Sequence, residues 1–159
     1  MICVGIDVAK DKHDCFILSS EGEILADVFT IQNNAEGFDT LLQTIRRCTR
    51  PEDKMKVGLE ATGHYSYNIL GFLLNEGLPT YVINPLHTNL YRKSLSLRKT
   101  KTDRVDARTI AAMLMSDVDL KPCFYFVFRT RTAANGLQQR VKALCVVWDG
   151  KYICKDFAF

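Results

Sequence analysis

The chain has 159 residues, 47% apolar, 25% charged and 10% aromatic, with a formal net charge of +3. That suffices for one domain burying roughly two-thirds of its unfolded surface, and is too little for two substantial ones. No apolar run reaches the ~18 residues of a membrane span, the N-terminus meets Asp7 without a basic leader, and nine Gly and four Pro exclude collagen-like composition.

Residues 2–6 form an apolar run ending at Asp7, the pattern of a buried strand. Cys15–Leu18 and Ile24–Ile31 follow as strands, separated by the turn-forming Ser-Ser-Glu-Gly-Glu. Short connections make these three an antiparallel meander. Asn33-Asn34 then caps a helix whose apolar positions Phe38, Leu41, Leu42 and Ile45 share one face. Arg46, Arg47 and Arg50 suit its C-terminal end, and Pro51 stops it. A fourth strand spans Lys56–Ala61, a helix runs from about Tyr65 to Asn75 with Gly77 ending it, and residues 79–85 form a strand bounded by prolines. A basic block comes next, and Thr102-Asp103 opens a last helix through about Met115. The expected architecture is α/β, a mixed five-stranded sheet with three antiparallel strands, then parallel ones, flanked by helices.

This layout fills residues 1–120. Residues 121–159 differ in character: they hold eight of the sixteen aromatics and three of the six cysteines, with strand-like bursts at 124–128 and 144–148. They are expected to form an atypical tail outside the domain. Cys3, Cys15, Cys48, Cys123, Cys145 and Cys154 contain no CxxC pair, and His13, His64 and His87 are scattered. Free thiols in a cytoplasmic protein, without a zinc site, are expected.

Charge is segregated. Residues 1–85 carry twelve acids and seven bases, net −5, whereas residues 86–108 carry seven bases and two acids, net +5. Within the acidic part, Asp7 ends the first strand and Glu60 the fourth; Asp103 and Asp106 lie three apart on one helical face. If the first and fourth strands are neighbours, these carboxylates converge. Two such charges 4 Å apart repel by about 4 kcal/mol at an effective dielectric of 20, so either some of the carboxylates take up protons or the site binds a hard divalent cation. Mg²⁺ takes one or two carboxylates plus water and substrate phosphate, and a pair of such ions serves phosphodiester chemistry. Singly, each acid has an ordinary reading: Asp7 and Glu60 as turn residues, Asp103 and Asp106 as acids favoured at a helix start.

Gly5-Ile6-Asp7-Val8-Ala9-Lys10, Glu60-Ala61-Thr62-Gly63-His64-Tyr65, Val82-Ile83-Asn84-Pro85 and Lys101-Thr102-Asp103-Arg104-Val105-Asp106-Ala107 together resemble the N-terminal domain of the DEDD transposases of IS110 insertion sequences and the Piv-type DNA invertases. The resemblance covers roughly residues 1–122. It implies a RuvC-like, ribonuclease-H-type fold holding Mg²⁺ through Asp7, Glu60, Asp103 and Asp106, and site-specific strand exchange on DNA, in many members guided by an element-encoded RNA. It also implies a helical spacer and a second domain with a serine nucleophile. Neither is legible after Cys123, so a truncated transposase is the expectation for this chain.

Lys10, Arg92, Lys93, Arg98, Lys99, Lys101 and Arg104 are the candidate nucleic-acid contacts, against the plainer reading of a solvated loop and helix face. Arg104 and Arg108 are alternatively placed to pair with Asp103, Asp106 or Glu60. The leading expectation is a Mg²⁺-dependent DNA transposase or recombinase domain, homo-oligomeric and not membrane-bound. The rival is a catalytically silent, nucleic-acid-binding or oligomerising remnant. A sugar kinase of the actin type shares the first-strand Gly-x-Asp but needs Gly-rich phosphate loops that this chain lacks.

Overall fold

The computed structural model describes residues 1–61, 63–95, 103–116, 124–126, 142–148 and 151–157, with side chains over 1–61, 63–94 and 106–116. The chain divides into two compact units, Met1–Pro122 and Cys123–Phe159.

In the first unit, strands β1 (Ile2–Val8), β2 (Lys12–Ser19) and β3 (Ile24–Gln32) precede helix α1 (Ala35–Cys48). Strand β4 (Met55–Glu60), a 3-10 turn (Gly63–Tyr65), helix α2 (Ser66–Asn75) and strand β5 (Thr80–Ile83) follow, then helices α3 (Pro85–Leu95) and α4 (Asp103–Met115). The sheet order is β3-β2-β1-β4-β5. β1 runs antiparallel to β2 and parallel to β4, and β4 is parallel to β5. The expected mixed five-stranded sheet is therefore present, with its antiparallel half first. β1 is central, and its Ile2, Cys3, Val4 and Ile6 are buried, which explains an unbroken apolar run where an edge strand would alternate.

Local chemistry fixes the ends of the elements. Asn34 caps α1 by accepting a hydrogen bond from the Gly37 amide at 2.8 Å. Gly77, at φ 72°, closes α2: its amide donates to the Leu74 carbonyl and the Leu78 amide to the Leu73 carbonyl, the left-handed ending that favours glycine. Helix α3 falls inside the basic block, where the charge pattern gave no helix. Its signal is local, with Pro85 in the first turn and the Asn84 Oδ1 accepting from the Leu86 amide at 2.9 Å.

The two faces of the sheet have different partners. On one, Cys3, Phe16, Leu18 and Ile83 pack with Ala107, Ile110, Ala111, Met113 and Leu114 of α4. On the other, Phe38 of α1 stacks on His13 at 6.0 Å and meets Phe72 of α2 at 5.4 Å. The second unit contains an antiparallel sheet of β6 (Phe124–Phe126), β7 (Lys142–Trp148) and β8 (Lys151–Phe157), in that order. Among the described residues no helix is long and apolar enough to cross a membrane.

His13 is fully buried, and neither ring nitrogen has a hydrogen bond among the described residues. Burial lowers its pKa from 6.5, opposed in part by the nearby Asn33 amide, the Lys12 backbone and Asp14. The unfolded chain thus binds a proton that the folded ring resists. This contribution to stability is full above about pH 6.5 and is lost as pH falls below it. Urea unfolding is expected to show a lower midpoint at about pH 5.5 than at about pH 7.5, with His13→Leu flattening the difference. An undiminished pH dependence in that variant would assign the effect to other groups.

Candidate active site

Asp7 lies one residue from the end of β1 and Glu60 ends β4. The parallel register runs from Ile2↔Met55 to Ile6↔Leu59, so the next residues, Asp7 and Glu60, are neighbours across strands about 4.8 Å apart. Both belong to the face that carries α4, because side chains alternate and Gly5 and Gly58 of the same parity meet that helix. A Cβ on Gly5 would run into the Ala107 carbonyl oxygen and stand 2.7 Å from the Ala111 amide nitrogen; one on Gly58 would stand 2.8 Å from Leu114 Cδ1. Glycine at both positions lets α4 seat directly on the two strands that end in acids. Asp106, immediately before Ala107, is thereby buried to 6% exposure.

Arg92 of α3 reaches this carboxylate, with Nη2 2.9 Å from Asp106 Oδ1 and both side chains largely buried. Arg92 was a candidate phosphate contact; the structure turns it inward to an acid of the site. Arg108 points elsewhere too. It pairs with Asp27 of β3 and lies over the Phe16 ring at 5.4 Å, a bridge to the sheet edge. Lys10 is exposed in the β1–β2 turn, where its carbonyl accepts from Asn33 Nδ2 at 2.8 Å. Lys93 is exposed on α3. Asp103 begins α4, but its side chain and that of Arg104, and all of Arg98, Lys99 and Lys101, lie outside the described residues.

Sequence reading missed one acid. Asp14 of β2 is directly opposite Asp7 in the antiparallel register, largely buried, and accepts a hydrogen bond from the Thr30 hydroxyl. The signal was the tight β1–β2 turn: centred on Lys10-Asp11, it pairs residue 7 with residue 14. Burial pushes the neighbouring Cys15 thiol far up, and Asp14 and Asp7 push it further, so this thiol stays protonated and unreactive.

Among the described residues no three acidic, histidine or cysteine side chains form a ready-made metal cage. The donor chemistry nonetheless suits Mg²⁺, which needs only one or two carboxylates and completes its shell with water and phosphate. A guanidinium already sits on Asp106, so this carboxylate has a positive partner within the chain.

A mixed five-stranded sheet with acids at the ends of its two central parallel strands and on the helix above them defines a RuvC-like α/β fold. Two solved structures of Thermus thermophilus RuvC share it: one described as RuvC in complex with Holliday junction substrate, at TM-score 0.51 and 17% identity, the other at 0.52 and 16%, each covering 77% of this chain and 99% of RuvC. The chain belongs to the DEDD transposase family of the IS110 type, which it matches over residues 4–130. It is also 33% identical over 109 residues to the pilin gene-inverting proteins of Moraxella lacunata and Moraxella bovis, a match covering 68% of this chain. The chain spans about a third of the length of those relatives, 32%.

Proposed function

We propose that this chain carries the metal-dependent catalytic site of a DNA recombinase, cleaving and transferring phosphodiesters, with Asp7, Glu60, Asp103 and Asp106 holding Mg²⁺. What supports the reading is that Asp7 and Glu60 stand at the ends of neighbouring parallel strands and that α4, which carries Asp106, packs on both strands at Gly5 and Gly58. Membership of a transposase family and the RuvC-like fold support DNA as substrate. When bound, Mg²⁺ would polarise the scissile phosphate and lower the pKa of a bound water. The chain's own groups do the rest. Asp7 and Glu60, on adjacent hydrogen-bonded strands, would hold the cation together with the buried Asp106 of the helix. Lys10 and Lys93, with Arg98, Lys99, Lys101 and Arg104, hold the phosphate backbone, so binding weakens as salt rises. An element-encoded RNA and a second copy of the chain are the further partners in this reading.

The test offers duplex DNA, a four-way DNA junction and RNA to the 159-residue chain, with Mg²⁺ or with EDTA. Cleavage of DNA only with Mg²⁺ is the expected result. Binding that survives EDTA, with no cleavage on any substrate when Mg²⁺ is restored, would replace this reading with a silent nucleic-acid-binding module.

A further inference from the structure

Arg92 is placed with care. Its helix is tied to α4 by the neighbouring Tyr91, whose hydroxyl pairs with Ser116 Oγ at 2.8 Å and donates to the Ala112 carbonyl at 3.5 Å. Two turns closer to the start of α4, the Arg92 guanidinium reaches Asp106. The closest approach is through Nη2, while the buried Nε has no hydrogen bond among the described residues. Arg–carboxylate pairs are frequently two-pronged, which adds geometric specificity to the charge. Here one edge is unmatched, and a buried donor left so is unfavourable. The contact supplies charge more than geometry.

We propose that Arg92 is the internal counter-cation of this site: it neutralises Asp106 until a divalent cation takes its place, and so sets the affinity for that cation. The inference rests on the metal-binding reading above. A carboxylate is costly to bury uncompensated, and Arg92 supplies positive charge to Asp106 in the metal-free protein. A guanidinium and a divalent cation repel each other and compete for the same oxygen, so loading requires the pair to give way. Arg92 is then a positioning residue that acts through Asp106, and a charge-removing substitution makes metal binding tighter, whereas loss of a ligand makes it weaker.

Calorimetric titration of the 159-residue chain with Mn²⁺ alone tests this, with thermal melting in EDTA and in Mn²⁺ alongside. Arg92→Gln is expected to bind Mn²⁺ about tenfold tighter than wild type, or about 1.4 kcal/mol. It should melt lower in EDTA and recover in Mn²⁺. In an Asp106→Asn background the same substitution should have no effect on affinity, because the coupling runs through that carboxylate. If Arg92→Gln does not fold, Arg92→Lys, with its shorter reach, is expected to tighten binding by a smaller factor. Mn²⁺ affinity equal to or weaker than wild type in the variant that folds overturns the proposal and leaves the metal site standing. Failure of wild type and every variant to bind Mn²⁺ removes the metal site itself, and the proposal with it.

Discussion

Asp7→Asn is expected to lower Mg²⁺-dependent DNA cleavage by at least about 10²-fold, the scale of losing one preorganised electrostatic partner of a transition state. The fold should survive. Asp7 sits beside Glu60 across a parallel pair and opposite Asp14 across an antiparallel one, and like charges so placed destabilise a sheet. Neutralising Asp7 removes that repulsion while keeping size and hydrogen-bonding capacity, so the melting temperature should stay level or rise. This pairing of lost activity with undiminished stability separates a functional acid from a structural one. Cleavage at the wild-type rate would remove Asp7 from the site. A lowered melting temperature would make it a structural acid.

Gly5→Ala carries the largest expected effect on stability. The added methyl meets backbone atoms of α4, the Ala107 carbonyl oxygen and the Ala111 amide nitrogen, which cannot rotate away as a side chain can. Helix α4 must lift off β1, loosening the core made by Ile110, Ala111 and Leu114. The expected loss is about 3 kcal/mol, at the upper end of overpacking costs, or roughly 10 °C in melting temperature for a domain of this size. Gly71→Ala is the matched control. It lies inside α2 with nothing within 4 Å of the added methyl, and alanine there should stabilise by roughly 0.5–1 kcal/mol. Equal melting temperatures for Gly5→Ala and wild type would mean that α4 does not seat on β1 as described. Because α4 also carries Asp106, Gly5→Ala should weaken Mn²⁺ binding even at temperatures where the protein remains folded.

Much of the framework was legible because its signals are local. The capping Asn34, the glycine that ends α2 and the unbroken apolar run of β1 each report the element they sit in. Helix α3 escaped because its sequence is polar on most sides, and only the Asn84-Pro85 start marks it. Asp14 escaped for another reason. It precedes the apolar run Cys15–Leu18 and reads as a polar residue before the strand, yet it lies inside β2 and is largely buried. Sequence alternation separates the two sides of a strand but does not say which of them a helix will cover.

The sequence by itself determined the order of the five strands and of every helix but α3, the four acids at element ends, and motifs matching a transposase family. It could not say where the positive charges would go. Arg92 and Arg108 stand among the bases of one block, but Arg92 turns to Asp106 while Arg108 crosses to Asp27. That choice depends on the crossing of α3 and α4 and on α4 seating against Gly5 and Gly58, contacts between residues far apart in the chain. Spacing along the chain sets which groups share a helix face. The partner a charge meets across a packed interface is set by the close approach of backbones, and only the tertiary structure supplies that.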